Sequence, residues 1–324
     1  MSLSIHIGYS PSENALRHLY TQLNDGIMVT HGTEIPENAS YQILISGRPS
    51  VELLEGSPNL SALMIPFAGL PAVTRERMAD YPDIAVHNVH YNAPPTAEMA
   101  LALLMASARN LIPSDREFRQ NNWIARYEPY PSILLGGKTA LILGYGAVGA
   151  SLGILLKAMG MTVIGTRRSN IDEAKGIYAS DKLHVLLPQA QVLIVALPAT
   201  DETEGLVGKE EFDLLPEGAI VVNIGRASVI DQYAFYDALK SGYLHGGASD
   251  VWYHYPKNEA ERDNTAPADV PFHELDNMVL SPHRAGGGGN DEIEFMRMTA
   301  IAESVNIAHT GVTMPHEVNL DLGY

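Results

Sequence analysis

The feature that most constrains the fold of this chain is a glycine-rich turn between an apolar run and an amphipathic stretch. Residues 139–149 read TALILGYGAVG, so the apolar run leads directly into Gly144, Gly146 and Gly149. From residue 148 to residue 159, apolar residues recur at the spacing of one helix face. A strand, a GxGxxG turn and a helix in this order form the unit that binds a pyrophosphate at the helix N-terminus. The turn therefore predicts an α/β fold with a dinucleotide site.

Two adjacent arginines stand where the next apolar run ends. Residues 163–170 read VIGTRRSN, and such units usually carry a carboxylate at this place for the ribose hydroxyls. A carboxylate repels a 2′-phosphate, whereas a guanidinium binds one through paired hydrogen bonds. We therefore predict a preference for NADP(H); the alternative is that the arginines are solvated and NAD(H) binds without the carboxylate. The residues predicted to contact the cofactor here are Gly144, Tyr145, Gly146, Ala147, Val148, Gly149, Thr166, Arg167, Arg168 and Ser169.

Further apolar runs alternate with helix-like stretches along the chain. Most of them are continuously apolar, as strands buried on both faces of a parallel sheet are. This pattern predicts a Rossmann-type doubly wound parallel sheet and a second, smaller α/β domain before residue 98, with a cleft between the two. The predicted strands lie at 4–10, 41–47, 60–69, 84–90, 139–143, 161–165, 192–198, 219–225, 246–251 and 277–282.

The predicted domain arrangement is discontinuous. Residues 1–98 and 292–324 are expected to form the substrate domain, and residues 99–291 the dinucleotide-binding domain. A helix over 95–112 joins the two halves, and a helix over 291–309 returns to the first half. Between the joining helix and the glycine turn, the aromatic residues Trp123, Tyr127 and Tyr130 are expected to pack against the protein.

Composition narrows the classes of partner. The 324 residues carry a formal net charge of −17 and include no cysteine. An acidic surface repels phosphate backbones, so nucleic acid is not expected as a partner. Without cysteine there are no disulfides, thiolate metal sites or cysteine nucleophile, and no metal site is expected. We find no signal peptide and no run of ~20 apolar residues, so we expect a cytoplasmic location and no membrane contact.

Polar residues follow several of the later apolar runs. Arg226 comes after residues 219–225, Asp250 lies near the end of GGASDV, and His283 follows NMVLSP. In an open parallel sheet, ligands bind at the carboxyl ends of the strands. An arginine there suits a carboxylate next to a carbonyl, and a histidine suits proton donation because its pKa lies near neutral pH. The alternative for His283 alone is a structural histidine.

These segments together resemble the D-isomer-specific 2-hydroxyacid dehydrogenase family. The resemblance covers roughly residues 88–290. It implies a flavodoxin-like fold for the first domain and a homodimeric protein. The resembling segments are NAPPTAEMALALLMASARNL, GGKTALILGYGAVGASLG, VALPATDETEGLVGKEEFDLLPEGAIVVNIGRASVID, GGASDV and SPHRAG.

The resemblance also implies roles for individual residues. Arg226 would bind the substrate, His283 would act as the acid/base, and Asp250 would contact the nicotinamide carboxamide. Leu197, Pro198 and Gly225 would contribute to the cofactor site, with Pro198 lining the nicotinamide pocket. In the first domain, the turn Phe67-Ala68-Gly69 resembles the loop whose N–H groups hold the substrate carboxylate. Asn92 matches an asparagine beside the substrate in formate dehydrogenases of the family, or caps a helix. Arg48, in ISGRPS, binds a substrate anion or is solvated.

One position departs from the family pattern. The family has a glutamate five residues after the aspartate, where it pairs with the histidine, but here Tyr255 stands at that place. Formate dehydrogenases of the family also lack the glutamate. Either Tyr255 bonds to His283 and leaves a functional acid, or an acid of the long 253–276 loop, such as Glu259 or Asp263, replaces the glutamate. We expect the first arrangement.

The sequence thus predicts an NADP(H)-preferring oxidoreductase that interconverts a small anionic 2-oxo acid and its D-2-hydroxy acid by hydride transfer. Glyoxylate, hydroxypyruvate and bulkier 2-oxo acids are the candidate substrates. One alternative is a dehydrogenase of the formate or phosphite type. Another is a non-catalytic NAD(P)-sensing binding protein.

Overall fold

The computed structural model describes residues 3–287 and 290–323, which form two compact units. The first unit contains the chain up to Asn92 and the chain from Gly287 onward, and the second unit runs from Ala93 to Gly286. Both divisions lie a few residues before the predicted ones. At the first, the reason is that the helix beginning at Ala93 belongs to the second unit along its whole length. No helix in the described part of the chain is both long enough and apolar enough to cross a membrane.

The first unit is built on a parallel sheet of five strands in the order β2-β1-β3-β4-β5. Its strands are β1 (Leu3–Ile7), β2 (Ile27–His31), β3 (Ile43–Ile45), β4 (Ala62–Ile65) and β5 (Ala85–Asn88). Its helices are α1 (Glu13–Gln22), α2 (Val51–Glu55), α3 (Ala72–Met78) and α10 (Asp291–His309).

Helix α10 covers the predicted range of 291–309 and packs against the sheet of the first unit. Its apolar residues Met298, Ile301 and Val305 are fully buried with the isoleucines of β1 and β3. The sequence did not predict β2, which lies at the sheet edge and alternates between partly buried and exposed residues. An edge strand of this kind lacks the continuous apolar run that marks the central strands.

The second unit is a doubly wound parallel sheet of seven strands in the order β12-β11-β10-β9-β6-β7-β8. Its strands are β6 (Thr139–Leu143), β7 (Thr162–Arg167), β8 (Ile177–Ala179), β9 (Val192–Val195), β10 (Ile220–Asn223), β11 (Gly246–Ser249) and β12 (Met278–Leu280). Its helices are α4 (Ala93–Ala108), α5 (Leu111–Phe118), α6 (Ala147–Ala158), α7 (Leu183–Leu186), α8 (Lys209–Leu214) and α9 (Gln232–Lys240).

Helices cover both faces of this sheet. Successive residues of each strand point to opposite faces, so alternate residues of β6 and β9 enter two separate cores, one under α4 and α6 and the other under α7, α8 and α9. The strand order reverses between β6 and β9, which is the switch point where ligands bind in sheets of this class. The predicted α/β architecture is confirmed.

The predicted helix over 95–112 is in fact two helices. Helix α4 ends at Ala108, and α5 begins at Leu111 after Asn110, whose backbone is left-handed with φ of 48°. The prediction that the following aromatic residues pack is wrong for Tyr127, which is 80% exposed. Trp123 is 56% exposed, but its ring packs edge-on against Phe118 with the ring centroids 4.8 Å apart, and the Tyr130 hydroxyl donates to the Asn110 carbonyl oxygen.

Candidate active site

The glycine turn joins β6 to α6 at the switch point. Gly144 has φ of +90°, and a Cβ atom there would lie 2.8 Å from the carbonyl oxygen of Ala196, so a side chain is excluded on both grounds. Beside Gly146, by contrast, no atom lies within 4 Å of the position a Cβ would take. No side chain caps α6 at Gly146, so the N–H groups of its first turn are open to an anion. The turn therefore fits a dinucleotide pyrophosphate.

Tyr145 supports this turn from behind. Its N–H donates to the carbonyl oxygen of Thr166 over 2.8 Å. Its ring fills the space over two glycines, since Cβ atoms on Gly153 and Gly165 would both lie 2.4 Å from atoms of Tyr145. Tyr145 thus fixes the turn against β7 and α6, and the Thr166 side chain is buried beneath. Of the predicted contacts, Gly146 and Ala147 are the exposed residues of the turn.

The arginine pair lies at the end of β7. Arg167 is the last residue of the strand and is half-buried, and Arg168 and Ser169 are exposed. The Arg168 guanidinium pairs with the carboxylate of Glu202, in the loop after β9. The end of β7 therefore carries two arginines in succession, and the second of them is paired with an acid of the loop after β9.

The loop after β9 and the turn after β10 lie against each other. A Cβ atom on Gly225 would lie 2.5 Å from the carbonyl oxygen of Leu197, so only glycine fits there. Pro198 is exposed, and its carbonyl oxygen accepts a 2.7 Å bond from the Thr203 hydroxyl. The backbone thus presents Pro198 to solvent at the switch point.

Arg226 follows this turn and reaches the surface. Its Nη1 donates to the carbonyl oxygen of Gly225 over 2.7 Å, while its own carbonyl oxygen accepts a bond from the Asn223 side chain. Surrounding protein atoms desolvate part of Arg226 and lower its pKa, but a guanidinium stays protonated in proteins. Within the part of the chain that the structure describes, the other N–H groups of this cation make no hydrogen bond, so they can bind an anion.

Asp250 is buried and holds the loop that carries His283. One carboxylate oxygen accepts from the Ser281 hydroxyl and from the N–H of Arg284, and the other accepts from the N–H of Ala285 over 2.8 Å. His283 has a left-handed backbone with φ of 57°, and these three hydrogen bonds to Asp250, called the Asp250 clamp below, hold it in that conformation. The structure gives Asp250 three bonds within the loop, and a contact of Asp250 with a cofactor stays a prediction.

The imidazole of His283 faces Tyr255. The Tyr255 hydroxyl lies 2.8 Å from Nδ1 of His283, and the same hydroxyl accepts a 3.1 Å bond from the N–H of Trp252. Partial burial is the main cause that lowers the pKa of His283; the Asp250 charge opposes it and the Arg226 charge adds to it. The structure therefore brings Arg226, His283 and Tyr255 into one cluster.

No carboxylate contacts the His283 ring among the residues that the structure describes. Glu259 pairs with Arg262, and Asp263 is exposed, so neither stands in for the missing glutamate. The 253–276 loop is anchored to the domain, because Phe272 is buried in the core and the Tyr253 hydroxyl donates to the Ile230 carbonyl oxygen. This anchoring fixes the backbone that carries Tyr255.

The predicted substrate residues of the first unit share one edge of its sheet. Arg48 follows β3 and is exposed. The Phe67-Ala68-Gly69 turn follows β4, and the Ala68 carbonyl oxygen accepts a 2.8 Å bond from the Asn88 side chain. Asn92 follows β5, and its buried Oδ1 has no hydrogen-bond partner within the described chain.

Three supporting residues were not predicted. Asn223 bonds to both sides of the turn before Arg226, Trp252 donates its N–H to Tyr255 and its Nε1–H to the Ser281 carbonyl oxygen, and Ser281 bonds to Asp250. Their positions directly beside predicted residues are the only sequence signal for them. Across residues 3–287 and 290–323, no group of three His, Asp or Glu side chains is arranged to hold a metal ion.

Taken together, the second unit combines an anion-binding helix start, a cation and an imidazole at one sheet edge. Residues 101–285 match the family model described as D-isomer specific 2-hydroxyacid dehydrogenase, NAD binding domain. The match includes the glycine turn, Arg226, Tyr255 and His283.

Curated relatives and solved structures agree with this match. The chain is 29% identical over 290 residues to D-3-phosphoglycerate dehydrogenase of Archaeoglobus fulgidus, covering 89% of this chain and 52% of that protein. It is 29% identical to glyoxylate reductase of Aeropyrum pernix, covering 86% and 82% of the two chains. A D-isomer specific 2-hydroxyacid dehydrogenase from Xanthobacter autotrophicus, solved with NADPH and MES, shares the fold at 22% identity, with a TM-score of 0.80 and full coverage of both chains. The chain spans about half the length of the phosphoglycerate dehydrogenases that it matches.

Proposed function

The chain belongs to the D-isomer specific 2-hydroxyacid dehydrogenase family, and on this premise we propose that it reduces a small 2-oxo acid to the D-2-hydroxy acid with NADPH. The observation that carries the proposal is the cluster of Arg226 and His283 on the domain that carries the glycine turn. A cation and a proton donor side by side suit a carboxylate next to a carbonyl group. Glyoxylate and hydroxypyruvate are the smallest candidate substrates.

The protein groups have separate tasks in this reaction. Arg226 binds the substrate carboxylate and polarises the neighbouring carbonyl, because its free N–H groups form charge-assisted hydrogen bonds. His283 donates a proton to the carbonyl oxygen. Bound NADPH supplies the hydride. The buried Asp250 keeps the His283 loop in its left-handed turn, so the imidazole is preorganised before substrate binds.

The preference for NADPH is proposed from the end of β7. Two arginines and no acid occupy the positions after Gly165, so the strand end offers guanidinium groups to a 2′-phosphate. Among solved structures with this fold, the Xanthobacter autotrophicus enzyme was determined with NADPH. The roles predicted for Arg48, Phe67, Ala68, Gly69 and Asn92 in substrate binding also remain part of the proposal.

A steady-state assay tests the proposed function. Purified protein is given NADPH or NADH with glyoxylate, hydroxypyruvate and bulkier 2-oxo acids, and loss of the reduced cofactor is followed by absorbance. We expect turnover with at least one 2-oxo acid and a higher kcat/KM for NADPH than for NADH. Tight NADPH binding without turnover would support a cofactor-sensing protein instead, and reduction of NADP⁺ by formate or phosphite would support the other dehydrogenase class.

We also propose that the protein is a homodimer that associates through the exposed segment 111–134. Helix α5 has no buried residue, and the segment carries Leu111, Ile112, Phe118, Trp123, Ile124, Tyr127 and Leu134, each at least half exposed. Exposed large apolar side chains concentrated in one segment are typical of an association site. A second copy of the chain is the partner that the family resemblance implies.

A further inference from the structure

The tyrosine at the glutamate position has a specific chemical consequence for the histidine. We propose that Tyr255 holds His283 in the neutral tautomer protonated at Nε2, and that the Tyr255 hydroxyl donates its proton to Nδ1 when Nε2 protonates the substrate. The proton transfer from Tyr255 rests on the proposed function, whereas the tautomer of His283 does not. Tyr255 acts through His283 and is a positioning residue.

The hydrogen bonds of the Tyr255 hydroxyl set the direction of its bond to His283. The Trp252 N–H is a donor only, so the hydroxyl oxygen accepts from it over 3.1 Å. The hydroxyl has a single hydrogen, and among the described residues Nδ1 of His283 is the other polar atom bonded to it, at 2.8 Å. A hydroxyl that already accepts one hydrogen bond donates its own hydrogen best to an unprotonated Nδ1. The ring proton of neutral His283 then lies on Nε2.

The charged groups around the ring favour this neutral form. Partial burial and the Arg226 guanidinium both lower the pKa of His283 and so disfavour the imidazolium, whereas the Asp250 carboxylate opposes them. The bonds that Asp250 accepts come from residues 281, 284 and 285, and the bond of Nδ1 is to the Tyr255 hydroxyl instead. The Tyr255 hydroxyl is thus the group on the same domain that determines the tautomer.

The proton balance of the reduction follows from this tautomer. The carbonyl carbon gains a hydride from bound NADPH, the electron pair of the C=O π bond moves to oxygen, and that oxygen takes the proton of Nε2. Nδ1 takes the phenolic proton at the same time, so His283 stays neutral and Tyr255 becomes a phenolate. The Trp252 N–H and the Arg226 charge stabilise this phenolate. His283 is exposed and Tyr255 is 45% exposed, so after the product leaves, Nε2 takes a proton from water and Nδ1 returns its proton to the phenolate, which restores the starting tautomer.

A glutamate at position 255 would favour the charged form of His283, whereas Tyr255 favours the neutral form. A carboxylate accepts a bond from Nδ1–H and stabilises the imidazolium, so its histidine donates a proton only below a raised pKa. With Tyr255, the active form of His283 is neutral. Reduction should therefore not fall as the pH rises through the range in which histidines lose their proton. It should fall only at alkaline pH, where Tyr255, whose pKa burial raises above its usual value, loses its proton.

Nitrogen NMR of the imidazole tests the tautomer without any turnover. Protein with ¹⁵N-labelled histidine is compared with His283→Gln, which identifies the His283 signals among those of the 12 histidines. We expect a protonated Nε2 and an unprotonated Nδ1 in the wild type at neutral pH. In Tyr255→Phe, which keeps the ring and removes the hydroxyl, the Nδ1-protonated tautomer should appear. A wild-type His283 that is protonated at Nδ1 would overturn the proposal.

The pH dependence of kcat tests the proton supply. Tyr255→Phe should lose roughly 100-fold in kcat, and its activity should fall as the pH rises through the pKa of His283, since the variant needs the imidazolium. Tyr255→Glu should recover activity, but only below the raised pKa of its histidine. An alkaline limb at the same pH in wild type and Tyr255→Phe would overturn the relay. If no 2-oxo acid is reduced, the proposed function and the relay both fail, while the NMR result still decides the tautomer.

Discussion

The guanidinium of Arg168 is paired with the carboxylate of Glu202 at the edge of the sheet where the 2′-phosphate of NADPH is proposed to bind. The two residues come from different loops, one after β7 and one after β9. A phosphate bound to Arg168 must compete with this carboxylate. Because the ion pair is exposed, competition from Glu202 weakens the binding free energy of the phosphate by no more than about 1 kcal/mol.

Removing the charge of Glu202 should therefore improve NADPH binding. In Glu202→Gln we expect NADPH to bind about two- to fivefold more tightly, with NADH affinity unchanged. Titration of cofactor fluorescence gives both dissociation constants. Asp201→Asn, which changes the neighbouring exposed acid, is the matched control and should alter neither constant. An equal gain for NADH would contradict the assignment.

Replacing both arginines should have the opposite effect. Charge-assisted hydrogen bonds are worth about 1.5–3 kcal/mol, so Arg167→Ala with Arg168→Ala should weaken NADPH binding roughly 10- to 100-fold. NADH binding should change little, because it lacks the phosphate. The same titration measures the result. Equal or tighter NADH binding in the wild type would refute the NADPH preference itself.

Arg226 should not tolerate replacement by lysine. Arg226→Lys keeps the charge but loses the paired donors that match a carboxylate, so kcat/KM for the 2-oxo acid should fall roughly 100-fold. The affinity for NADPH should stay the same. Initial rates over a range of substrate concentrations give kcat/KM. A variant with wild-type kcat/KM would remove Arg226 from the substrate site.

Asp250 should contribute to stability as well as to the position of His283. In Asp250→Asn, a side-chain NH₂ group replaces an oxygen that accepts a backbone N–H, which leaves a buried donor unpaired. We expect a loss of about 2 kcal/mol in the free energy of unfolding, measured by urea denaturation followed by circular dichroism. Asp263→Asn, on the surface loop, is the control and should be neutral. If Asp250→Asn has the same free energy of unfolding as the wild type, the hydrogen bonds of the Asp250 clamp do not contribute to stability as proposed.

The buried His6 should make the protein less stable in mild acid. Burial lowers the pKa of His6 below its usual value, so the unfolded chain binds a proton that the folded protein does not. The stability is complete above the unfolded pKa of about 6.5 and falls as the pH drops below it. Thermal melts between pH 8 and pH 5 should show this loss, and His6→Gln should show less of it than wild type. The exposed His273→Gln is the control and should behave as wild type.

The exposed apolar segment should determine the oligomeric state. Light scattering after gel filtration should give twice the chain mass of 35.1 kDa for the wild type. Trp123→Glu should shift the protein toward the monomer, because a charge would be buried in the interface. Val185→Glu changes a residue that is 67% exposed outside the segment and should leave the dimer intact. A wild-type monomer would contradict the proposal.

The central strands could be predicted from the sequence because both faces of a parallel sheet are buried. β6, β9 and β10 are mainly apolar runs inside the sheet, whereas the unpredicted strands β2 and β8 lie at sheet edges and are only partly buried. The break in the joining helix depends on the left-handed backbone of Asn110, which no periodicity reveals.

Within the candidate site, the position of a residue along the chain predicted which residues matter, but the sequence did not predict the hydrogen bonds between them. Arg226 and His283 follow strands at the edge where ligands bind, so their importance could be inferred from order alone. The three bonds to Asp250 and the Trp252 N–H bond to Tyr255 depend on how the loops fold back. Such contacts leave no periodic pattern in a single sequence.

The product formed from hydroxypyruvate and NADPH tests the central claim most directly. Wild-type protein should yield D-glycerate as a single enantiomer, measured by chiral chromatography. His283→Gln should bind NADPH as tightly but form product at least about 100-fold more slowly. The L enantiomer, a racemic product or a fully active His283→Gln would contradict the account.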